Sequence, residues 1–177
     1  MSVRFFRYVT KDKILALSDH LSLDPKRNKI AITLLEYGPD NKARTTLRHF
    51  VDPDAFKVVC WDILLGTFTE WKDYKGSPDK EGNLVARVLS LVKDKNYRNP
   101  YVLRLEQGPG ERMGAGAVRM VGKPAAELAL LLPEFDARRL AIATLDYIRA
   151  WEIIHFRERE KVSEQERAER LQDQARS

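Results

Sequence analysis

The feature that most constrains the fold of this 177-residue chain is an internal repeat. The segment Leu35-Glu36-Tyr37-Gly38-Pro39 recurs 70 positions later as Leu105-Glu106-Gln107-Gly108-Pro109. Each copy follows a run of alternating apolar and polar residues, which is typical of a half-buried strand, and the Gly-Pro pair is typical of a turn. The repeat therefore predicts one domain over residues 1–154, made of two similar β-rich units at about 1–66 and 67–154.

In the first unit the pattern predicts strands followed by one helix. Strands are expected at 3–10, 29–37 and 43–51, whereas the apolar run at 14–23 fits a strand or a short helix equally well. Asp52 and Pro53 have the residue types of a helix start, and Gly66 has that of a helix end. The apolar residues between them recur at helical spacing.

In the second unit we expect four strands and a final helical region. The strands are predicted at 67–74, 84–92, 101–106 and 116–121, and the glycine-rich run 108–116 is predicted as a hairpin loop. A helix is expected from Lys123 to Leu132. A longer helix after Pro133 would bury one face, formed by Leu140, Thr144, Tyr147, Ile148 and Trp151. Trp61, on the first helix, is also expected in the core.

The predicted fold class is therefore α+β, with two ββββα repeats that form antiparallel sheets packed against helices. Residues 155–177 are predicted to form a charged helical tail. The tail carries six basic and six acidic residues, so the formal net charge of +5 belongs to residues 1–154. A modest basic excess favours a polyanionic partner without requiring one.

Composition and residue spacing argue against several functional classes. The single cysteine, Cys60, allows neither an intramolecular disulfide nor a multi-cysteine zinc site, which suits a reducing compartment. The apolar runs are too short for a membrane span or a signal peptide, so we expect a cytoplasmic protein. The three histidines fall in different elements without metal-ligand spacing. No metal, cofactor or catalytic residue is predicted, and the chain is expected not to be an enzyme.

Basic and aromatic residues alternate on the predicted strands, and this pattern is typical of a surface that holds a nucleic-acid strand. Cations follow the phosphates while exposed rings stack on the bases. In the first strand Arg4, Phe6 and Tyr8 are expected to share one face, with Phe5 and Arg7 opposite. The candidate contact residues are Arg4, Phe6, Tyr8, Arg44, Arg48, Phe68, Trp71, Lys72, Tyr74 and Arg87.

Several segments of the second half resemble the Whirly and Pur-alpha families of single-stranded-DNA-binding proteins. They are Leu64-Leu65-Gly66-Thr67-Phe68, Lys75-Gly76-Ser77-Pro78, Asn83-Leu84-Val85-Ala86-Arg87-Val88-Leu89 and Lys123-Pro124-Ala125-Ala126-Glu127, followed by helices that end near Trp151. The resemblance implies two four-stranded sheets packed against helices. It also implies homo-oligomers formed through the helices, and binding of single strands along the sheets with little sequence selectivity.

The leading functional prediction is a non-enzymatic protein that binds single-stranded DNA or RNA in replication, repair or transcription. The alternative is a protein-interaction or assembly module that acts through its helices and its charged C-terminal tail. An enzyme acting on nucleic acid ranks third, because no acidic cluster forms an obvious Mg²⁺ motif.

Overall fold

A computed structural model describes residues 3–114 and 117–165 and arranges the strands in two antiparallel sheets. The first unit contains strands β1 (Arg4–Val9), β2 (Lys13–His20), β3 (Lys29–Tyr37) and β4 (Ala43–Val51), followed by helix α1 (Pro53–Leu65). The second contains β5 (Glu70–Pro78), β6 (Leu84–Lys93), β7 (Tyr101–Met113), β8 (Ala117–Met120), β9 (Ala126–Leu132) and helix α2 (Glu134–Ile154). The α+β class and the two strand-rich units that each end in a helix are confirmed.

The first sheet is a simple meander with the order β1-β2-β3-β4. The ambiguous run at 14–23 is a strand for most of its length, because β2 pairs with β3 from Lys13↔Glu36 to His20↔Lys29. Helix α1 follows this sheet with the predicted boundaries, since Pro53 occupies its first turn and Gly66 ends it in the left-handed conformation.

The second sheet corrects the prediction of a helix from Lys123 to Leu132. Residues 126–132 form strand β9, which pairs with β7 from Tyr101↔Leu132 to Gln107↔Ala126. Every second side chain of this segment, namely Leu128, Leu130 and Leu132, is buried in the core. This two-residue periodicity is that of a strand and not of a helix. Pairing with β7 overrides the helix propensity of the alanine, leucine and glutamate residues.

The glycine-rich run is also more regular than predicted. Strand β7 continues through Met113, and its last residues pair with β8 from Gly110↔Met120 to Met113↔Ala117. Strand β8 packs over β5, where a Cβ atom on Gly76 would lie 2.2 Å from Val118 Cγ2. Glycine at position 76 therefore makes room for Val118, and most of the predicted loop, from Gly108 to Met113, belongs to β7.

Both sheets and both helices contribute to one hydrophobic core. The fully buried side chains include Leu15, Ile32, Phe56, Leu105 and Ile148. The expectation that Trp61 is buried is wrong, because this side chain is 55% exposed on the outer side of α1. Trp151 is half-buried, with its ring stacked on His155.

Polar contacts link the two units. Asp52, just before α1, accepts hydrogen bonds from Lys29 of the first sheet and, at 2.8 Å, from Lys75 of the second. Buried His49 of β4 lies 2.7 Å from Asp73 of β5 through its Nε2 atom. Residues 156–165 are helical, as predicted for the start of the tail, and the rest of the tail prediction lies outside the described residues. No helix in the described ranges has the length and apolar character needed to cross a membrane.

Candidate nucleic-acid interface

One side of the first sheet forms part of the core, and the strand registers place the residues of the other side in a regular grid, in which Ala31 and Ile14 are buried. One row across the four strands is Arg7, Ala16, Thr33 and Arg48. The rows on either side are Arg4, Ser18, Ala31 and Phe50, and Val9, Ile14, Leu35 and Thr46. We call these twelve residues the arginine face.

A β-bulge decides which residues of β1 belong to the arginine face. Arg4 pairs with Ser18, but Phe6 pairs with Leu17 and Arg7 with Ala16, so Phe5 is the extra residue. Since Ser18 and Ala16 are two positions apart, they share a side of β2, and so do Arg4 and Arg7. The prediction that Arg4 shares a face with Phe6 and Tyr8 is therefore wrong.

The arginine face carries positive charge and has no carboxylate of its own. None of its twelve residues is acidic, and Arg4, Arg7 and Arg48 are exposed. Within residues 3–114 and 117–165 none of the three forms an ion pair. Arg48 Nε donates a hydrogen bond to Thr33 Oγ1 at 3.2 Å, which orients the guanidinium across the sheet. The charges are therefore available to an external anion.

The spacing of these arginines suits an extended anion more than a single ion. Arg7 and Arg48 lie three inter-strand steps apart, or about 14 Å between their backbones at about 4.8 Å per step. Arg4 and Arg7 lie on adjacent rows of the same edge strand. Arg44 is exposed at the irregular end of β4, where its guanidinium lies over Gly38.

One aromatic ring completes the arginine face. Phe50 is 37% exposed, and His20 contacts it edge-on with ring centroids 5.1 Å apart. The contact fixes the position of the Phe50 ring while part of it stays open to solvent. A base that lies against the sheet beside Arg48 can stack on this open part.

Four of the predicted contact rings lie on the other side of the sheets. Phe6 and Phe68 are each only 5% exposed, and Phe68 stacks on Tyr101. Trp71 is half-buried and stacks on Phe56, with ring centroids 5.7 Å apart. Tyr8 is half-buried and packs against the core. These rings stabilise the interior and leave little surface on which a base could stack.

The remaining predicted residues lie on the second sheet. Lys72 and Tyr74 are exposed on the solvent-facing side of β5. Arg87 is half-buried and donates a hydrogen bond to Ser77 Oγ at 2.7 Å. Of the ten predicted contact residues, the arginine face therefore contains Arg4 and Arg48, and Arg44 lies at its edge.

Sequence reasoning left two residues of this face out of the candidate set. Phe50 could have been found, because it alternates with Arg48 in β4. Arg7 could not be found by alternation, because the bulge at Phe5 shifts the pattern by one position.

The described residues contain no group of three or more His, Cys, Asp or Glu side chains placed to hold a metal ion. Burial raises the pKa of the Cys60 thiol to about 12, although a hydrogen bond with Thr144 acts in the opposite direction. A thiol that stays protonated at neutral pH is a poor nucleophile.

Comparison with known proteins gives this chain no relative. No protein-family model, curated protein or solved structure matches it. The likeness to Whirly and Pur-alpha proteins therefore stays a prediction, and a functional proposal has to rest on the surfaces described above.

Proposed function

We propose that this protein binds single-stranded DNA or RNA, without catalysing a reaction, through the arginine face. The observation that carries the proposal is the set of exposed arginines, Arg4, Arg7 and Arg48, on a sheet surface without carboxylates. Unpaired arginines bind phosphate oxygens and release counterions from the strand, which is the main source of affinity in nonspecific binding.

A single strand fits this surface better than a duplex. In a duplex the ring faces of the bases are stacked on one another, whereas the bases of a single strand can turn towards the open part of Phe50. The small residues between the arginines, such as Ala16 and Thr33, keep the centre of the face low enough for a strand to lie across it. A cytoplasmic protein acting in replication, repair or transcription is consistent with this binding.

The test is the affinity of the Arg7→Ala/Arg48→Ala variant for a fluorescently labelled oligonucleotide, measured by anisotropy at several salt concentrations. Each lost phosphate contact lowers the slope of log K against log salt by about 0.7 for single strands, so the expected change is about 1.4. The affinity for a single strand should fall, and the wild type should bind a duplex more weakly.

A matched control removes the same charge elsewhere. Arg112 and Lys123 are exposed residues of the second unit, outside the arginine face. Arg112→Ala/Lys123→Ala should leave most of the affinity intact. Equal losses in the two double variants would show that only net charge matters, and the arginine face would then not be the binding site.

We also propose that the helices mediate self-association, the assembly role considered as the alternative. Val58, Trp61 and Leu65 recur at helical spacing on α1 and are each more than half exposed. Trp61 also lines a groove of about 350 Å³ between the helices, together with Ile142 and Leu145. The same groove carries two cations, Lys57 and Arg149, and two carboxylates, Asp146 and Glu152. A surface with balanced charges can pair with a second copy of itself.

A further inference from the structure

The second sheet has its own surface groove, on the side that faces away from the core. The groove has a volume of about 490 Å³, which lies within the range of small-molecule sites. Its floor is formed by Val88, Val92 and Val102, which are half-buried on β6 and β7. Because Tyr74 and Tyr97 supply the aromatic surface, we call it the tyrosine groove.

The tyrosine groove is bounded at both ends. At one end β8 packs over the sheet and places Met120 in the lining. At the other end lies the loop between β6 and β7, which contributes Asp94 and Tyr97. Tyr74 is 57% exposed and Tyr97 51% exposed. The groove thus combines three valines with two open tyrosine rings, and Ser90 and Arg104 lie between the valines. Apolar surface beside open aromatic rings suits a ring-shaped ligand.

One carboxylate in the lining of the tyrosine groove, Glu106, lacks a partner among the described residues. Glu106 of β7 lies directly opposite Glu127 of β9, and like charges in this arrangement repel. Arg104 donates to Glu127 at 2.6 Å and so neutralises only one of the two. Glu106, half-buried in the groove lining, forms no ion pair or side-chain hydrogen bond with the described residues. A ligand with N–H donors would satisfy it.

We propose that the tyrosine groove binds a nucleobase that carries an exocyclic amine. The ring lies over the valine floor against the tyrosines, and its amine donates to the Glu106 carboxylate. Lys72 lies at the same groove and forms no ion pair with the described residues, so it is available to the phosphate of the same nucleotide. The base can come from a free nucleotide or from a strand, and the chemistry of recognition is the same.

This inference does not rest on the arginine face, because the two surfaces belong to different sheets. Nucleotide binding at the tyrosine groove and strand binding at the arginine face can therefore be disproved independently. Loss of oligonucleotide affinity in the Arg7→Ala/Arg48→Ala variant tests the arginine face, and that variant should bind mononucleotides normally.

The test is a titration of ¹⁵N-labelled protein with AMP, CMP, GMP and UMP, followed by NMR. AMP, CMP and GMP should shift the amides of β5, β6 and β7 around the groove, and UMP, which has no exocyclic amine, should bind more weakly. Tyr97→Leu should raise the dissociation constant roughly five- to 150-fold, the range of one stacking contact. Glu106→Gln should weaken CMP binding roughly tenfold and remove the preference over UMP.

Two further measurements complete the test. The first is the spectrum of each variant without ligand. Because Tyr97 and Glu106 lie outside the core, the spectra of Tyr97→Leu and Glu106→Gln should overlay on that of the wild type apart from local shifts. Competition with a single-stranded oligonucleotide separates the sources of the base. Displacement of CMP by the oligonucleotide indicates a base of a bound strand, and simultaneous binding indicates a free nucleotide.

Two outcomes would overturn the proposal. Nucleotides at millimolar concentration that shift no amide around the groove would exclude a base site there. Equal binding of UMP and CMP, unaffected by Glu106→Gln, would exclude recognition of the amine by this carboxylate.

Discussion

Cys60 illustrates how burial controls the chemistry of one side chain. It lies in α1 on the face that packs into the core, with no exposed surface. Burial raises its pKa to about 12, against an ordinary value near 9, because the apolar surroundings disfavour the thiolate.

We predict that Cys60 of the folded protein reacts very slowly with iodoacetamide at pH 9. At this pH about half of an exposed thiol is ionised, whereas a group with a pKa near 12 stays protonated and is also shielded from the reagent. Mass spectrometry of samples taken over time measures the rate. The same protein in guanidinium chloride is the control and should react within minutes. Rapid modification of the folded protein would contradict the buried position.

Phe5 shows how one residue can redirect a surface. Its ring stacks on Tyr147 of α2, with centroids 4.5 Å apart, and the Tyr147 hydroxyl donates to Asp19 at 2.8 Å. The bulge at Phe5 turns Arg7 to the same side as Arg4. Phe5 therefore contacts α2 on one side of the sheet, and the bulge at the same residue sets the positions of Arg4 and Arg7 on the other side.

At the scale of elements, the position of β8 depends on small residues in the strands beneath it. Val118 packs over Gly76 of β5 and Gly110 of β7, and a Cβ atom at either position would overlap with it. Strand β8 in turn forms one end of the tyrosine groove through Met120. The glycines of β5 and β7 therefore shape the groove as well as the hairpin.

We predict that Gly76→Ala destabilises the protein by about 1–3 kcal/mol, the usual cost of overpacking. The added methyl group would have to displace Val118 and with it β8. Urea denaturation followed by circular dichroism measures the change.

Two variants control this experiment. A Cβ atom on Gly114 would meet none of the described residues within 4 Å, so Gly114→Ala should change the stability by less than about 1 kcal/mol. Val118→Gly removes both methyl groups and the Cβ atom, which would itself lie 2.3 Å from the added carbon, and should recover part of the loss when combined with Gly76→Ala. Additive losses in the double variant would show that Val118 is not the cause.

At the scale of the whole molecule, the helices leave several large apolar side chains exposed. Phe135, Ile153, Ile154 and Phe156 are each more than half exposed, in addition to the stripe on α1. Apolar residues in single exposed positions are common, but a contiguous stripe with an exposed tryptophan is typical of an interface.

We predict that the protein self-associates through α1 and that Trp61→Ser weakens this association at least tenfold. A central tryptophan commonly contributes 2 kcal/mol or more to an interface, and 1.4 kcal/mol corresponds to a factor of ten. Analytical ultracentrifugation over a range of concentrations measures the equilibrium. As a control, Tyr74→Ser removes a ring of similar exposure from the second sheet and should leave the self-association unchanged. A wild type that stays monomeric at 100 µM would refute the prediction.

The sequence alone determined the two units, most strand positions and the limits of α1. These depend on local signals, namely the repeat, alternating apolar residues, Pro53 and Gly66, which act on the neighbouring backbone. Alternation in the sequence also indicates that Arg48 shares a side of β4 with Thr46 and Phe50, because no irregularity interrupts this stretch.

Only the tertiary structure decided which residues are exposed and how the end of the second unit folds. The run from Ala126 to Leu132 forms strand β9 instead of a helix because the edge of β7 is available for backbone pairing. The rings of Phe6, Phe68 and Trp71 turn inward because the shared core has room for large apolar side chains there. Alternation predicts that two sides of a strand differ, but the packing of sheets and helices decides which side meets water.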